Sequence, residues 1–454
     1  MELKKDQWIR FIQKASPAWT SYQILLVGFA ALIFLGSLLL SLPIALNDGY
    51  TLTYIDALFT ATSAVCVTGL TVAETATTFS LFGQIVIILL IQFGGLGIMT
   101  VTTVAFLILG RKIPFSDRLT IQDSINSSSI SGIVRLIIYI VKLTLCIEFI
   151  GGTLLAFYLY PKYGFQGIYM GYWHAVSAFC NAGFDIFGTG TGFAQYVSHT
   201  GINLTLSLLV ILGGMGFLVL IDIWMKRNWR NLEAQNKLNL VVIFFLLLYG
   251  TFSIFFLEYT NYNNLGVERI SEKLMVSFSQ SVFSRTAGFS TIDLSKFSQT
   301  TLFIFITLMF IGTSPGSTGG GVKTNTFGII TAALFSLLRG NKDINIFHRR
   351  ISLDVVFRSY TLFTLWIFLI LGSTAVLIAF EPFTFLNMLF EVTSAVSTTG
   401  LSVGISMALT DVGKVIFIGL MFVGRIGIFT FLLSFSLRRK KGIYHYPVGK
   451  FRIG

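Results

Sequence analysis

Charged side chains are scarce: Asp, Glu, Lys and Arg make up 11% of the 454 residues, against roughly 25% in an ordinary soluble domain. Cysteine is scarcer still. Cys66, Cys146 and Cys180 are an odd number and all sit in apolar stretches, which excludes a disulfide framework. The four histidines, His174, His199, His348 and His445, are scattered without ligand spacing, so no metal centre is expected. Proline is rare, 7 against 43 glycines, which suits close-packed helices and special backbone turns and not a coil-rich chain. What fills the sequence is apolar: 54% hydrophobic, 45 Phe and a mean hydropathy of +0.79. No soluble fold hides that much apolar surface, so the chain belongs in a bilayer. A cytosolic enzyme, a secreted disulfide scaffold and a disordered regulator are all excluded. The net charge of +12 would suggest nucleic acid in a soluble protein. Here the basic residues cluster between apolar runs, so the charge reads as membrane topology and no nucleic-acid partner is expected.

Long apolar stretches at 22–46, 80–110, 131–160, 201–225, 238–259, 299–338, 353–380 and 411–437 predict eight membrane spans. Between successive pairs lie shorter, more polar pieces near 56–68, 172–182, 275–287 and 386–399. Some twelve helical residues rise only about 18 Å, so these pieces enter the membrane without crossing it. The expected fold class is an all-α membrane protein of four tandem span, pore-helix, span units around a pseudo-fourfold central pore. The expected divisions are an N-terminal segment 1–20, units at 21–118, 119–230, 231–345 and 346–440, and a tail 441–454. Met1 to Lys14, with Trp8, Phe11 and Ile12 among basic residues, reads as a short interfacial helix leading into a retained anchor.

Basic clusters fall on one side: Lys4, Lys5, Arg10 and Lys14; Arg111, Lys112 and Arg118; Lys226, Arg227, Arg230 and Lys237; Arg339, Lys342, Arg349, Arg350 and Arg358; and Arg438 to Lys441. Asp48, Asp185, Glu258, Asp293, Glu381 and Asp411 mark the other side. The positive-inside rule places both termini in the cytoplasm of a multi-pass cell-membrane protein and the four short helices on the outer side.

The short pieces end alike. They read Thr62-Ser63-Ala64-Val65-Cys66-Val67-Thr68-Gly69, Val176-Ser177-Ala178-Phe179-Cys180-Asn181-Ala182-Gly183, Ser281-Val282-Phe283-Ser284-Arg285-Thr286-Ala287-Gly288 and Thr393-Ser394-Ala395-Val396-Ser397-Thr398-Thr399-Gly400. A second glycine mark follows each: Gly94-Gly95-Leu96-Gly97, Gly213-Gly214-Met215-Gly216, Gly312, and Gly424-Arg425-Ile426-Gly427. A half-helix inside the bilayer must end in backbone that lines a polar cavity. Glycine there permits a positive φ that turns carbonyls inward. Four such stretches about one axis make a ring of oxygens able to replace the water shell of a hard cation.

This pattern resembles the Trk/Ktr/HKT superfamily of potassium transport proteins over essentially all of residues 20–440. With only about twenty residues before the first span, it looks like the Ktr membrane subunit more than the longer Trk subunit. The resemblance implies a potassium filter formed by Val67, Thr68, Gly69, Asn181, Ala182, Gly183, Thr286, Ala287, Gly288, Thr398, Thr399 and Gly400. Glycine in all four loops implies potassium preference, and one glycine per loop implies looser selectivity than a symmetric potassium channel. The resemblance also implies a homodimer docked on a cytoplasmic ring of nucleotide-binding regulatory subunits. Potassium is the transported ion, with sodium a candidate activator. No other cofactor and no catalytic residue is expected.

The sixth apolar stretch is interrupted by Gly312-Thr313-Ser314-Pro315-Gly316-Ser317-Thr318-Gly319-Gly320-Gly321-Val322-Lys323. Pro315 and the glycines cannot hold a continuous helix. The Walker spacing is absent, so a phosphate loop is not the reading. The loop is expected just below the filter as an intramembrane gate, with a static kink as the alternative. Arg425 stands where the first two glycine marks carry their second Gly, Gly95 and Gly214. A unit charge about 6 Å from a passing cation costs about 2.8 kcal/mol at an effective dielectric near 20. Arg425 is therefore expected to raise the barrier below the filter or to hold the gate loop, against a purely structural pairing with a helix-end carbonyl or an acid. Arg285 is expected to pair with an outer-side acid. Lys142 and Glu148 are expected to be packing partners or snorkelling groups, and Asp222 to serve at the surface. Cys66 and Cys180 read as small residues packed behind the filter. Overall the sequence points to a potassium uptake channel. A secondary carrier coupling potassium to sodium or protons is the main alternative, and a non-transporting membrane anchor the other.

Overall fold

The computed structural model describes residues 21–97, 100, 101, 103, 132–187, 192–261, 269–341 and 343–435. The N-terminal segment with Trp8, Phe11 and Ile12, the basic cluster Arg111, Lys112 and Arg118, Lys342 and the tail 441–454 lie outside the described residues.

The described chain is helical apart from one two-stranded hairpin, β1 (Asn345–Ile346) paired antiparallel with β2 (Arg349–Arg350). The helices are α1 (Ser21–Leu40), α2 (Tyr54–Val65), α3 (Leu81–Leu96), α4 (Ile133–Tyr163), α5 (Phe165–Phe179), α6 (Thr200–Gly214), α7 (Phe217–Lys226) and α8 (Ala234–Glu258). They continue with α9 (Ile270–Phe283), α10 (Gln299–Phe310), α11 (Thr324–Leu338), α12 (Leu353–Ile378), α13 (Phe385–Val396), α14 (Asp411–Ile426) and α15 (Ile428–Phe435).

Eight uninterrupted spans are not what the backbone forms. Among the described residues, three helices are long and apolar enough to cross a bilayer alone, in α1, α8 and α12; the pair α6 and α7, bent by 95°, would make a fourth. The stretches expected at 80–110, 201–225 and 411–437 each break at a glycine. Gly97, Gly216 and Gly427 have φ of 83°, 90° and 91°, which only glycine adopts without cost. Side-chain caps start the helices before those breaks: Ser80 accepts from Gly83 N, His199 from Ile202 N and Thr410 from Gly413 N, while Ser298 does the same for α10 through Thr301 N.

The short helices α2, α5, α9 and α13 form the most deeply buried part of the molecule. Ala61, Ala64, Val65, Ala175, Ala178, Phe179, Phe283, Phe390 and Ala395 are all fully enclosed. Each packs on the helix before it: α2 on α1, α5 on α4, α9 on α8 and α13 on α12. Each also packs on a helix from the neighbouring set: α5 on α3, α9 on α6, α13 on α10 and α2 on α14. The helices therefore close a cycle. Lys414 on α14 reaches Asp56 at the start of α2 at 2.7 Å and closes it electrostatically. One contact in the pattern is looser. Helices α2, α5 and α13 pack on the second helix of their own set, but α9 and α10 have no comparable packing.

Acids that the sequence places on the outer side do more than mark a face. Glu258, fully buried, accepts from Thr301 Oγ1 at 2.5 Å, Asn261 Nδ2 at 3.0 Å and Ser298 N at 3.1 Å, fixing α10 to the end of α8. Glu381 accepts from Thr410 Oγ1 at 2.6 Å and Thr410 N at 3.1 Å and does the same for α14. On the inner side Asp222 gathers Lys226 at 2.6 Å, Asn236 Nδ2 at 2.8 Å and Glu233 N at 3.1 Å, pinning the turn between α7 and α8. Replacing Glu258 by Ala strands buried donors and should destabilise the fold by about 2–3 kcal/mol. The check is a lower midpoint of thermal unfolding in detergent; an unchanged midpoint would show that the clamp contributes nothing.

Candidate functional site: four converging glycine turns and the loop beneath them

Every short helix ends the same way. The cap residue, Cys66, Cys180, Ser284 or Ser397, is still right-handed. Shortly after it the chain turns left-handed at Val67 (φ 56°), Asn181 (58°), Thr286 (58°) and Thr398 (49°), and again two residues on at Gly69 (88°), Gly183 (71°), Gly288 (73°) and Gly400 (91°). The sequence points to the glycines but not to the residue two before each. A β-branched residue at positive φ is strained, so Val67, Thr286 and Thr398 are held there by their surroundings.

The restraint comes from the helix ends. Thr68 N donates to Ser63 O (2.8 Å), Ala182 N to Ser177 O (2.7 Å) and Thr399 N to Ser394 O (2.8 Å). Gly69 N donates to Ser63 Oγ and Gly400 N to Ser394 Oγ, both at 3.0 Å, while Ser177 Oγ donates to Phe184 O at 2.8 Å. These serines, six residues before their glycines, tie the turns to the helix ends, a role that sequence reasoning missed. The signal was present, because three of the four aligned endings carry Ser there. The fourth carries Val282, and its strand bonds differently: Ala287 N and Gly288 N both donate to Phe283 O at 3.2 Å.

The four turns meet. A Cβ built on Gly69 would lie 3.1 Å from Gly183 Cα and against Ala182 O. On Gly183 it would lie 2.8 Å from both Gly288 Cα and Ala287 O; on Gly288, 3.1 Å from Gly400 Cα and against Thr399 O; on Gly400, 3.0 Å from Gly69 Cα and against Thr68 O. The order closes on itself, and the carbonyl before each glycine sits at the junction with the preceding turn. Thr68, Thr286, Ser397, Thr398 and Thr399 hold buried side-chain oxygens without a hydrogen-bond partner among the described residues. Buried hydroxyls are rarely left so. Outside the ring lies a cavity of about 250 Å³ bounded by Gly69, Gly400, Thr71, Ser290, Ser402 and Asp293. The Ser295 hydroxyl, helped by its N–H and by Lys296, holds the Asp293 carboxyl below the usual range against the opposing effect of burial. Glu391 is another residue that sequence reasoning missed. It is buried on α13 and accepts from Ser402 Oγ (2.5 Å), Ser406 Oγ (3.0 Å) and Val403 N (3.1 Å), fixing the wall of that cavity.

Beneath the ring, the segment between α10 and α11 leaves the helix at Ile311, bridges Ile311 to Val322 and runs as a buried loop. Gly319 lies against Thr286 Oγ1, and Gly320 against Thr398 Oγ1 and Ser397 O, with no room for a side chain at either. Thr318 Oγ1 lies 3.2 Å from Phe179 O and 3.2 Å from the Asn181 amide. Ser314 N donates to Gly214 O (3.1 Å) and Phe217 N to Gly316 O (2.9 Å), so the break between α6 and α7 is also the seat of the loop. Lys323 Nζ donates to Gly319 O at 2.7 Å. Arg425 donates to Thr318 O on the loop and to Gly94 O and Gly95 O at the end of α3. All the residues of the 312–323 loop and Arg425 thus fall in one place, and the arginine is bonded to carbonyls, not to an acid.

Two expectations are corrected here. Arg285 does not pair with an outer acid; it is buried and donates to Gly312 O at 3.1 Å. Glu148 and Lys142 are not partners. Lys142 is exposed, whereas Glu148 is buried beside Gln92 Nε2 (3.2 Å) and Cys180 Sγ (4.0 Å). All three cysteines are free, and Cys66 and Cys180 are buried behind the turns.

The model of the family described as "TrkH: Cation transport protein" matches residues 7–444. The chain belongs to the TrkH cation transport family. Among this family chain's relatives, the Ktr system potassium uptake protein B of Bacillus subtilis (strain 168) is 38% identical over 99% of both chains. The potassium/sodium uptake protein NtpJ of Enterococcus hirae is 37% identical over 95% of this chain and 97% of its own. The crystal structure of the potassium transporter TrkH from Vibrio parahaemolyticus superposes with a TM-score of 0.73, covering 93% of this chain and 86% of that one at 19% identity, which establishes a common helical membrane fold.

The packed glycines give this family chain a direct test. Gly94, Gly213 and Gly424 lie against the last carbonyl of their own short helix, Val65 O, Phe179 O and Val396 O. Gly424→Ala forces α14 away from α13 and should cost about 1–3 kcal/mol, read as a lower midpoint of thermal unfolding in detergent. Gly419→Ala, where a methyl group meets open space, should be neutral.

Proposed function

We propose that the chain is the membrane subunit of a potassium uptake system and conducts the ion through the closed ring of four glycine turns. The carrying observation is that ring: Gly69, Gly183, Gly288 and Gly400 abut in cyclic order with the carbonyls of Thr68, Ala182, Ala287 and Thr399 at the junctions. Val67, Asn181, Thr286 and Thr398 complete the ion-binding filter. The reading places four span, pore-helix, span units around a pseudo-fourfold axis, with α2, α5, α9 and α13 aiming their carboxyl ends at it and their partial negative charge favouring a cation. Carbonyl dipoles replace water around a weakly hydrated cation, and no bond is made or broken. The relatives' names support potassium as the substrate, and the Enterococcus protein's name leaves room for sodium.

In this reading the 312–323 loop is the gate. It lies under the third and fourth turns, and Arg425 and Lys323 bind its carbonyls. Gate opening requires the Arg425 bond to Thr318 to break. The positive-inside pattern supports cytoplasmic termini in a multi-pass cell-membrane protein. The Ktr relationship supports a homodimer with a soluble nucleotide-binding regulatory ring.

Purified protein in liposomes should take up rubidium, a potassium stand-in, down its gradient and in preference to sodium, without an imposed proton or sodium gradient. Uptake that requires such a gradient would favour the carrier. Gly69→Ser should lower the rubidium-to-sodium flux ratio by roughly tenfold, as expected from about 1.4 kcal/mol at one site. Arg425→Ala should raise rubidium flux by roughly fivefold or more by freeing the loop; unchanged flux would remove Arg425 from the gate.

A further inference from the structure

The third turn is built unlike the other three, in four separate respects. Its position six before the glycine is Val282, where the others have Ser63, Ser177 and Ser394. Its N–H groups fall on Phe283 O, one residue later than in the other turns. Its short helix α9 packs less closely on its own second helix than α2, α5 and α13 do. Finally, its glycine mark does not cover the helix end: Gly312 lies against Gly320 and Gly321, whereas Gly94, Gly213 and Gly424 lie on Val65 O, Phe179 O and Val396 O.

Arg285 fills the gap these differences leave. It replaces Cys66, Cys180 and Ser397 at the position three before the glycine. Its guanidinium is buried, donates to Gly312 O at 3.1 Å, and has no partner for Nε among the described residues. Together with Val282, Gly214 and Thr313 it borders a small internal cavity. A buried arginine held by so few bonds is an expensive way to fill space that a small side chain fills elsewhere. Gly312 is the first residue of the loop, and Thr286, next to Arg285 in the chain, rests on Gly319 of the same loop. The third turn is thus attached to the loop at both of these points, through Arg285 to Gly312 and through Thr286 to Gly319.

We propose that Arg285 is a positioning residue that braces the third filter strand on the loop in place of the missing serine, so that gate position bears on ion discrimination through the third repeat. This rests on the reading of the ring as a filter. The loop also touches the second turn at Asn181 and the fourth at Ser397 and Thr398, but those strands carry a serine brace of their own, so a displaced loop moves the third strand most.

The experiment compares rubidium and sodium flux for the full chain in liposomes. Arg285→Gln should lower the rubidium-to-sodium ratio by roughly tenfold and raise total flux, because both the strand and the loop lose their tie. Adding Val282→Ser to that variant supplies the hydroxyl that Gly288 N lacks and should recover most of the ratio without restoring the low flux. Arg285→Lys, which keeps a donor, should fall between. A wild-type ratio in both Arg285 variants, or no recovery with Val282→Ser, overturns the coupling. Wild-type vesicles that show no preference for rubidium overturn the filter reading itself, a separate result.

Discussion

The structure depends on where the N–H groups at the ends of four short helices go. A helix ending in the middle of a bilayer leaves backbone groups that no lipid can satisfy. Here the strand N–H groups are turned back onto the helix itself, onto Ser63, Ser177, Phe283 and Ser394. That closure lets the four turns approach so closely that a Cβ added at any of the four glycines would clash with its neighbour. Among the described residues, the hydroxyls of Thr68, Thr286, Thr398 and Thr399, all in or beside the turns, are buried without a hydrogen-bond partner.

The remaining polar side chains follow the same logic at greater distance. Glu258, Glu381 and Glu391 are buried because they satisfy backbone N–H groups and hydroxyls of the segments that follow their helices. Asp56 and Lys414 join the first and last sets of helices and close the cycle. Below the ring, Arg425 and Lys323 do for the loop what the serines do for the turns: cationic donors satisfy carbonyls of irregular backbone at a depth where water is scarce.

Symmetry and its breaking both have local causes. Three sets share a serine brace, a glycine seated on a helix-end carbonyl, and a positive-φ glycine break in the following helix. The third set keeps the glycine turn but replaces the serine by Val282, adds Arg285, and substitutes a loop for the break. The second set accommodates that loop, with Gly214 and Gly216 admitting Thr313, Ser314 and Pro315. One irregular repeat can therefore sit among three regular ones without distorting the ring.

The sequence by itself determined the membrane class, the four aligned Gly endings, the second glycine marks and the broken sixth stretch. Each of these is a consequence of composition or of local backbone chemistry repeated at fixed spacing. It did not determine that the stretches at 80–110, 201–225 and 411–437 break at Gly97, Gly216 and Gly427. An isolated glycine in an apolar run serves equally as a packing site or as a turn, and only the neighbouring chain decides. The partners of Arg285, Arg425 and Glu148 were likewise beyond it. They lie on residues distant in sequence, and for both arginines on main-chain oxygens that every residue possesses. Tertiary structure alone decided which carbonyls a buried cation meets, because that choice depends on how separate segments are placed in space.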